Sequence, residues 1–259
     1  MSASTSKALP RALCDAFLPQ TCVICGEWIA TGTGSACRGC RQELREITRR
    51  SYCPRCGRSM PATAIKERHC ARCRTERFWN IAGLARIGAY ESPLRQLGAR
   101  LKYHGRARNA NFAARLLARA LRKKAWLCEV EALVPVPMHW LRRQQRPVEH
   151  TDLLTTALGR GLDLPVWRVV RRVKYTPSQT QVTSQARRFA NIDGCFACAG
   201  GVSEQLKGRC VCIIDNLLAS GATICEVSKV LRRAGARRIY AAVISRTVLA
   251  GDMQAGPGM

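Results

Sequence analysis

One stretch decides the fold of this chain: Cys210-Val-Cys-Ile-Ile-Asp-Asn-Leu-Leu-Ala-Ser-Gly-Ala-Thr223. Residues 210–214 are all small or apolar, which is typical of a strand buried on both faces in a parallel sheet. An acid and an amide, Asp215 and Asn216, follow this predicted strand. The small residues after them, Gly221 included, predict a tight turn into a helix. Backbone N–H groups at such a helix start favour anions, so the stretch predicts a phosphate site in an α/β fold.

This strand, polar pair, hydroxyl-bearing loop and helix resemble the phosphoribosyl pyrophosphate (PRPP) loop of type I phosphoribosyltransferases. The resemblance implies that Asp215 and Asn216 form the catalytic pair at the ribose hydroxyls. The implied 5′-phosphate ligands are Ala219, Ser220, Gly221, Ala222 and Thr223. Asn216 stands where a second carboxylate is usual and Ala219 where a hydroxyl is usual, so a charge and a donor are lost. The alternative interpretation is an ordinary strand–turn–helix unit that Ser220 caps.

The chain has fifteen cysteines and no export signal, which favours metal binding over a disulfide framework. Eight of them form Cys-x-x-Cys pairs, a spacing that lets both sulfurs bind one tetrahedral zinc ion. The eight are Cys22, Cys25, Cys37, Cys40, Cys53, Cys56, Cys70 and Cys73. We expect two closed structural zinc sites, grouped sequentially or in an interleaved way, with His69 as an alternative ligand. Because the segment is short and poor in large apolar residues, zinc would supply its folding energy.

The formal net charge is +26, from 43 Lys and Arg against 17 Asp and Glu. This excess favours anionic partners such as nucleic acid, phosphorylated sugars or acidic membrane surfaces. An Arg-favouring genome is the competing explanation, since most of the basic residues are arginine. No apolar run approaches the length of a membrane span, and the first 25 residues lack a continuous signal-peptide core. We therefore expect a cytoplasmic protein.

Composition and pattern divide the chain into three predicted regions. These are a double zinc-ribbon module over 1–80, an α/β domain over 81–250 and a loose tail over 251–259. Within the α/β domain, helix and strand patterns predict the following elements. The helices are expected over 92–105, 109–124, 151–159 and 224–234, and the strands over 132–137, 166–175 and 238–245.

Three arginines, Arg142, Arg143 and Arg146, follow the predicted strand at 132–137. Open α/β sheets bind ligands at the carboxyl ends of their strands, and guanidinium groups pair well with phosphate. These arginines, together with Lys102 near the end of a predicted helix, are therefore candidate ligands for a pyrophosphate group.

Taken together, these motifs resemble the ComF/GntX family of bacterial competence-related and DNA-utilisation proteins, in which a zinc ribbon precedes a phosphoribosyltransferase-like domain. The matching motifs run in family order over nearly the whole chain. They are the cysteine pairs, Leu101-Lys-Tyr103, Val134-Pro-Val-Pro137, Arg142 to Arg146, Thr176-Pro-Ser-Gln179, Arg188-x-x-Asn191-x-x-Gly194-x-Phe196 and the 210–223 loop. The chain departs from the family after Arg146, where Pro147 fixes the backbone and Glu149 repels phosphate.

The resemblance implies an accessory protein of DNA uptake or utilisation that holds PRPP or another phosphorylated ligand and binds single-stranded DNA. A helicase or another competence-machinery protein is the implied partner. Trp140, Trp167 and Tyr175 are candidates for stacking on bases, with core packing as the alternative. A second hypothesis is an active Mg²⁺-dependent phosphoribosyltransferase, in which arginines or Lys102 compensate the leaving pyrophosphate. A third is a scaffold that binds neither ligand.

Overall fold

A computed structural model describes residues 20–30, 34–65, 70–71, 80–104, 107–138, 149–174, 176 and 185–247. The strands are β1 (Gln20–Thr21), β2 (Trp28–Ile29), β3 (Gly83–Ala89), β4 (Ala132–Pro135), β5 (Val170–Arg172), β6 (Phe196–Cys198), β7 (Cys210–Leu218) and β8 (Arg238–Arg246). The helices are α1 (Arg38–Arg49), α2 (Leu94–His104), α3 (Ala107–Arg122), α4 (His150–Leu162), α5 (Gln185–Ile192), α6 (Ser203–Leu206) and α7 (Ala222–Arg233), with 3₁₀ turns at Ala62–Ala64 and Ala125–Glu129. No helix among these described residues is long and apolar enough to cross a membrane.

Four strands form a parallel sheet in the order β3-β8-β7-β4. The central strands β7 and β8 pair over most of their length, from Cys210 opposite Arg238 to Leu218 opposite Arg246. Their apolar runs are buried on both faces, as the sequence of 210–214 predicts. The predicted fold class is confirmed: a parallel sheet with flanking helices follows the cysteine-rich segment.

The sheet separates two apolar clusters. Helices α2, α3 and α4 cover one face, where Cys212 and Ile214 of β7 point. Helix α7 and the antiparallel β5–β6 pair cover the other face, where Val211 and Ile213 point. Because alternate residues of a strand face opposite sides, β7 contributes to both clusters at once. Strand β8 does the same, so the two central strands join the halves of the core.

The cysteine-rich segment packs against β3, which is an edge strand of the sheet. The N–H of Leu84 donates to the carbonyl of Pro54 at 2.7 Å, and the N–H of Arg86 donates to the hydroxyl of Tyr52 at 3.3 Å. These bonds occupy donors that an edge strand otherwise leaves unpaired. The predicted boundary near residue 80 stays a prediction, although both apolar clusters include residues from either side of it.

The strand expected over 166–175 divides between two sheets. The N–H of Trp167 donates to Leu133 and Val166 forms a parallel bridge with the same residue, so this part extends the edge of β4. Only Val170–Arg172 forms β5, which pairs with β6 instead. Strand β7 also runs on to Leu218, so Asp215 and Asn216 lie inside it rather than after it.

A single methyl group at Gly88 is expected to disturb the contact between the cysteine-rich segment and the sheet. A Cβ atom there would overlap Ile47 of α1 and lie 2.9 Å from the Cδ1 of Leu94. Gly88→Ala should lower the free energy of unfolding by about 1–3 kcal/mol because of overpacking. Urea unfolding of the zinc-loaded protein measures this change in the free energy of unfolding.

The control is Gly98→Ala in helix α2, where nothing lies within 4 Å of the added methyl. This change should stabilise the protein by about 0.5–1 kcal/mol because alanine favours helix. Equal effects of the two substitutions would contradict the close contact at Gly88.

Candidate functional site

The first four of the eight paired cysteines form one candidate metal-binding cluster. The Sγ atoms of Cys22, Cys25, Cys37 and Cys40 all lie within 4.8 Å of one another, and those of Cys25 and Cys37 are 3.8 Å apart. A zinc–sulfur bond of about 2.3 Å in a tetrahedron gives an edge of about 3.8 Å between sulfurs. The sulfur positions therefore fit a zinc ion.

Backbone groups around Cys22 favour its ionised form. The N–H groups of Ile24 and Cys37 donate to its Sγ at 3.4 and 3.3 Å. Burial raises the pKa of the Cys22 thiol, but the backbone donors of Cys37, Cys25 and Ile24 outweigh it and lower the pKa to about 6. Since zinc binds the thiolate, the fold prepares this sulfur for metal.

Cys53, Cys56 and Cys70 form a second cluster, in which the Sγ atoms of Cys56 and Cys70 are 3.7 Å apart. Cys73, the expected fourth ligand, and His69, the alternative, lie outside the described residues. In each cluster a glycine closes the turn after the first pair, Gly26 at φ 89° and Gly57 at φ 73°, both in the left-handed region. The described cysteines group sequentially, which resolves the pairing that spacing leaves open.

Arg246 connects the second cluster to the far end of the sheet. Its side chain is only 1% exposed and donates to the carbonyl of Cys56. Arg246 ends β8 opposite Leu218, and the next residue, Thr247, donates through its N–H to the Leu218 carbonyl at 3.0 Å and through its hydroxyl to the Ala219 carbonyl at 3.3 Å. The cysteine cluster and the start of the 219–223 loop are therefore held by consecutive residues.

The 219–223 loop has the geometry of an anion site. Gly221 has φ 85°, a conformation that only glycine adopts without strain, and it stands directly before α7. The buried Ser220 accepts the N–H of Ala222 through its hydroxyl at 3.3 Å. The N–H groups of a helix's first turn lack partners within the helix and point outward. This arrangement is suited to holding phosphate at the start of α7.

Asp215 and Asn216 do not lie side by side. Both belong to β7, so their side chains leave opposite faces of the sheet. Asp215 accepts the N–H of Asn216 through one carboxylate oxygen at 2.7 Å, and Asn216 is buried. Asp215 is the carboxylate that precedes the loop, while the buried side chain of Asn216 leaves the opposite face of the sheet.

The charges of two cations from other elements act on Asp215. Burial raises the pKa of Asp215 to about 6, against backbone donors and the charges of Lys102 and Arg172, which lower it. Lys102 belongs to α2, as the sequence predicts, but Arg172 comes from β5. Arg172 also donates to the hydroxyl of the buried Thr176. The sequence predicts a strand over 166–175 but assigns no role to Arg172, whose charge acts on Asp215.

The other predicted phosphate ligands, Arg142, Arg143 and Arg146, lie outside the described residues. At the border of that segment, Glu149 accepts the N–H of Met138 at 2.7 Å. The Glu149 carboxylate therefore links the described residues on either side of that segment. The expectation that its charge repels phosphate stays a prediction. Of the stacking candidates, Trp167 is partly buried against the apolar cluster, which fits core packing; Trp140 and Tyr175 are not described.

Comparison with known proteins agrees with this arrangement. The sequence model of the double zinc ribbon domain matches residues 13–74. The fold and the site define a class: an α/β protein with a parallel sheet, in which a central strand leads through a short loop into a helix, preceded by a double zinc ribbon. Competence protein F of Haemophilus influenzae is 31% identical over 86% of this chain and 95% of its own length. The chain therefore belongs to the ComF/GntX family of competence-related proteins.

Further relatives and solved structures extend the comparison. The DNA utilization protein YhgH of Escherichia coli K12 is 28% identical over 89% of this chain and 99% of its own. A glutamine PRPP amidotransferase from B. subtilis covers 56% of this chain and 30% of its own at 16% identity and a TM-score of 0.37. An adenine phosphoribosyl transferase from Trypanosoma brucei covers 66% and 89% at 10% identity and a TM-score of 0.37. At such low scores, the family assignment rests on the sequence relatives.

Removing a cluster cysteine should lower the zinc content. Cys22→Ser and Cys53→Ser each replace a buried thiolate ligand with a weaker donor, so the purified protein should hold less zinc than the wild type. Inductively coupled plasma mass spectrometry measures the metal content. The control, Cys128→Ser, changes an exposed thiol outside both clusters and should keep it. A full zinc content in Cys22→Ser would contradict the cluster assignment.

The raised pKa of Asp215 should make stability depend on pH. The folded protein keeps a proton there up to about pH 6, whereas the ordinary value is 3.8, so this stability is complete below pH 4 and lost as pH rises through 6. From pH 4 to pH 7, Asp215→Asn should therefore gain about 2–3 kcal/mol of unfolding free energy relative to the wild type. Urea titrations at each pH measure the difference.

The control for this pH series is Glu204→Gln, since the Glu204 side chain is 87% exposed. Its stability difference from the wild type should stay flat over the same range. A flat profile for Asp215→Asn as well would show that Asp215 titrates normally in the folded protein.

Proposed function

We propose that this protein is an accessory protein of DNA uptake or utilisation that binds PRPP, or a related phosphorylated ligand, at the 219–223 loop and single-stranded DNA on its basic surface. The names of its relatives, Competence protein F and DNA utilization protein YhgH, support the proposed role in DNA uptake or utilisation. One observation supports the ligand: Asp215, which feels the charges of Lys102 and Arg172, precedes a loop whose Gly221 has the left-handed conformation that a tight turn into α7 requires.

The proposed ligand would engage the loop in two parts. Its 5′-phosphate would accept hydrogen bonds from the backbone N–H groups at the start of α7 and from the hydroxyl groups of Ser220 and Thr223. Ala219 and Ala222 would contact it through their backbone. Its ribose hydroxyls would donate to the Asp215 carboxylate, which is largely ionised above its pKa of about 6. Lys102 and Arg172 would neutralise the pyrophosphate, and we assign Arg142, Arg143 and Arg146 to the same role.

Two kinds of metal belong to this proposal. We propose two zinc ions, one in each cysteine cluster, with Cys73 as the fourth ligand of the second. Mg²⁺ would arrive with PRPP and offset the negative charge of its pyrophosphate. A single carboxylate, Asp215, suits Mg²⁺, because this ion keeps several waters and takes one or two protein ligands beside phosphate oxygens.

Phosphoribosyl transfer is the second candidate function. It is supported by the same two cations beside Asp215, since charge develops on a leaving pyrophosphate in the transition state. The opposite orientation of Asn216 and its lack of charge favour binding over turnover. Release of pyrophosphate with an added base would identify an enzyme. A helicase or another competence-machinery protein remains the proposed partner.

Calorimetry with PRPP and Mg²⁺ on the zinc-loaded protein tests the loop. We expect saturable binding by the wild type and roughly tenfold or greater loss in Gly221→Val, because a branched side chain cannot keep φ 85° and the phosphate then loses charge-assisted hydrogen bonds. Asp215→Ala should also weaken binding, because it removes the ribose acceptor.

The matched control is Gly201→Val. Gly201 has φ 77° and open space around it, so the same strain is introduced away from the loop and PRPP binding should be unchanged. If the folded wild type bound no PRPP, the ligand assignment would be wrong. If both glycine variants lost binding equally, the loss would reflect general instability and the loop would not be the site.

A further inference from the structure

A second candidate binding site lies between helix α1 of the zinc ribbon and helix α3 of the α/β domain. A cavity of about 580 Å³ opens there, within the usual range for ligand sites. Its floor is apolar, formed by Leu44, Ile87, Leu116 and Ala120. We call this cavity the ribbon groove. It shares no residue with the 219–223 loop.

The rim of the ribbon groove is strongly cationic. Seven basic residues line the cavity, and none of its described lining residues is acidic. The seven are Arg41, Arg45, Arg86, Arg119, Arg122, Lys123 and Lys124. Across the described ranges, the exposed Arg45, Arg119 and Lys123 form no ion pair, so their charge is left for an outside partner. An anionic ligand is the complement of such a rim.

Aromatic side chains stand beside these charges. Tyr52 and Phe112 line the groove on opposite elements, and the Nζ of Lys124 lies 4.5 Å from the centre of the Tyr52 ring. The Tyr52 hydroxyl accepts the N–H of Arg86, which holds the ring in place. Neighbouring aromatic and cationic groups match a nucleotide, because its base offers a π face and its phosphate a charge.

A second cavity shares two arginines of α3 with the ribbon groove. This cavity of about 350 Å³ lies on the other side of the helix and also includes Arg119 and Arg122. Arg115 adds a further cation to this second cavity. A free nucleotide would occupy one cavity, whereas a strand with several phosphates would contact the shared arginines and both cavities. The continuous charge therefore favours an extended polyanion.

We propose that the ribbon groove binds a single nucleic-acid strand, with a base beside Tyr52 and Phe112 and adjacent phosphates on Arg119 and Lys123. This assignment rests on the strand binding in the proposed function and gives it a location. The strand would bind where the zinc ribbon meets the α/β domain. The PRPP loop would remain open to its own ligand.

Fluorescence anisotropy with a labelled oligothymidine, measured over a salt series on the zinc-loaded full chain, tests the proposal. The variant Arg119→Gln/Lys123→Gln should bind at least tenfold more weakly at low salt. Its slope of log affinity against log salt should be smaller by about 1.4, because each phosphate contact on a single strand contributes about 0.7. Zinc content and thermal unfolding should match the wild type, since both side chains are exposed.

The matched control is Lys207→Gln/Arg233→Gln, which removes the same charge from an exposed surface outside both cavities. Its affinity should change less than threefold. Equal losses of affinity in the two double variants would show that the strand is attracted by the overall charge. This result would overturn the assignment of the strand to the ribbon groove, while leaving the proposed function in place. A wild type that bound no strand at low salt would overturn the DNA part of the proposed function as well, and the PRPP titration would decide the loop separately.

Crosslinking provides a second measurement. A strand that carries iodouridine should crosslink under ultraviolet light to Tyr52 or Phe112, identified by peptide mass spectrometry. Crosslinks found only outside the groove would overturn the proposal. Thymidine monophosphate should compete at least a hundredfold more weakly than the strand, since it reaches one cavity only. Equal competition by the monophosphate would show that the groove binds a free nucleotide rather than a strand, and would overturn the proposal.

Discussion

The hydrogen bond from the N–H of Leu84 to the carbonyl of Pro54 is the interaction on which the rest of the structure depends. Strand β3 is an edge of the parallel sheet, and an uncovered edge exposes unpaired backbone donors. The second cysteine cluster places Pro54 between two of its ligands, Cys53 and Cys56, and so holds the acceptor in position. The zinc ribbon thus completes the sheet as well as preceding it in sequence.

The same cluster also reaches the ligand loop. The buried guanidinium of Arg246 bonds to Cys56, and Thr247 beside it holds the backbone of Leu218 and Ala219. Burying a cation without a hydrogen-bond acceptor costs free energy. The bond between the Cys56 carbonyl and Arg246 therefore stabilises both the cysteine cluster and the end of β8. The geometry of the 219–223 loop is therefore tied to the cysteine-rich segment through Arg246 and its neighbour Thr247.

The large positive charge is organised into separate places with different geometry. Beside Asp215, Lys102 and Arg172 approach a half-buried carboxylate, which suits a compact ligand with both hydroxyl and phosphate groups. In the ribbon groove, exposed cations surround an apolar floor, which suits a longer polyanion with bases. The two ligands proposed above, a phosphorylated sugar and a DNA strand, would each use one of these surfaces, which share no residue.

The sequence by itself determined the features that depend on near neighbours: the buried strand at 210–214, the Cys-x-x-Cys pairs and the tight turn that includes Gly221. Each rests on residue type and spacing within a few positions, so local physics suffices. Only the tertiary structure decided the rest. The sequential grouping of the cysteines, the approach of Arg172 to Asp215 and the meeting of Tyr52 with Phe112 join elements far apart in the chain. Their placement follows from how the sheet, helices and ribbon pack, which no local pattern specifies.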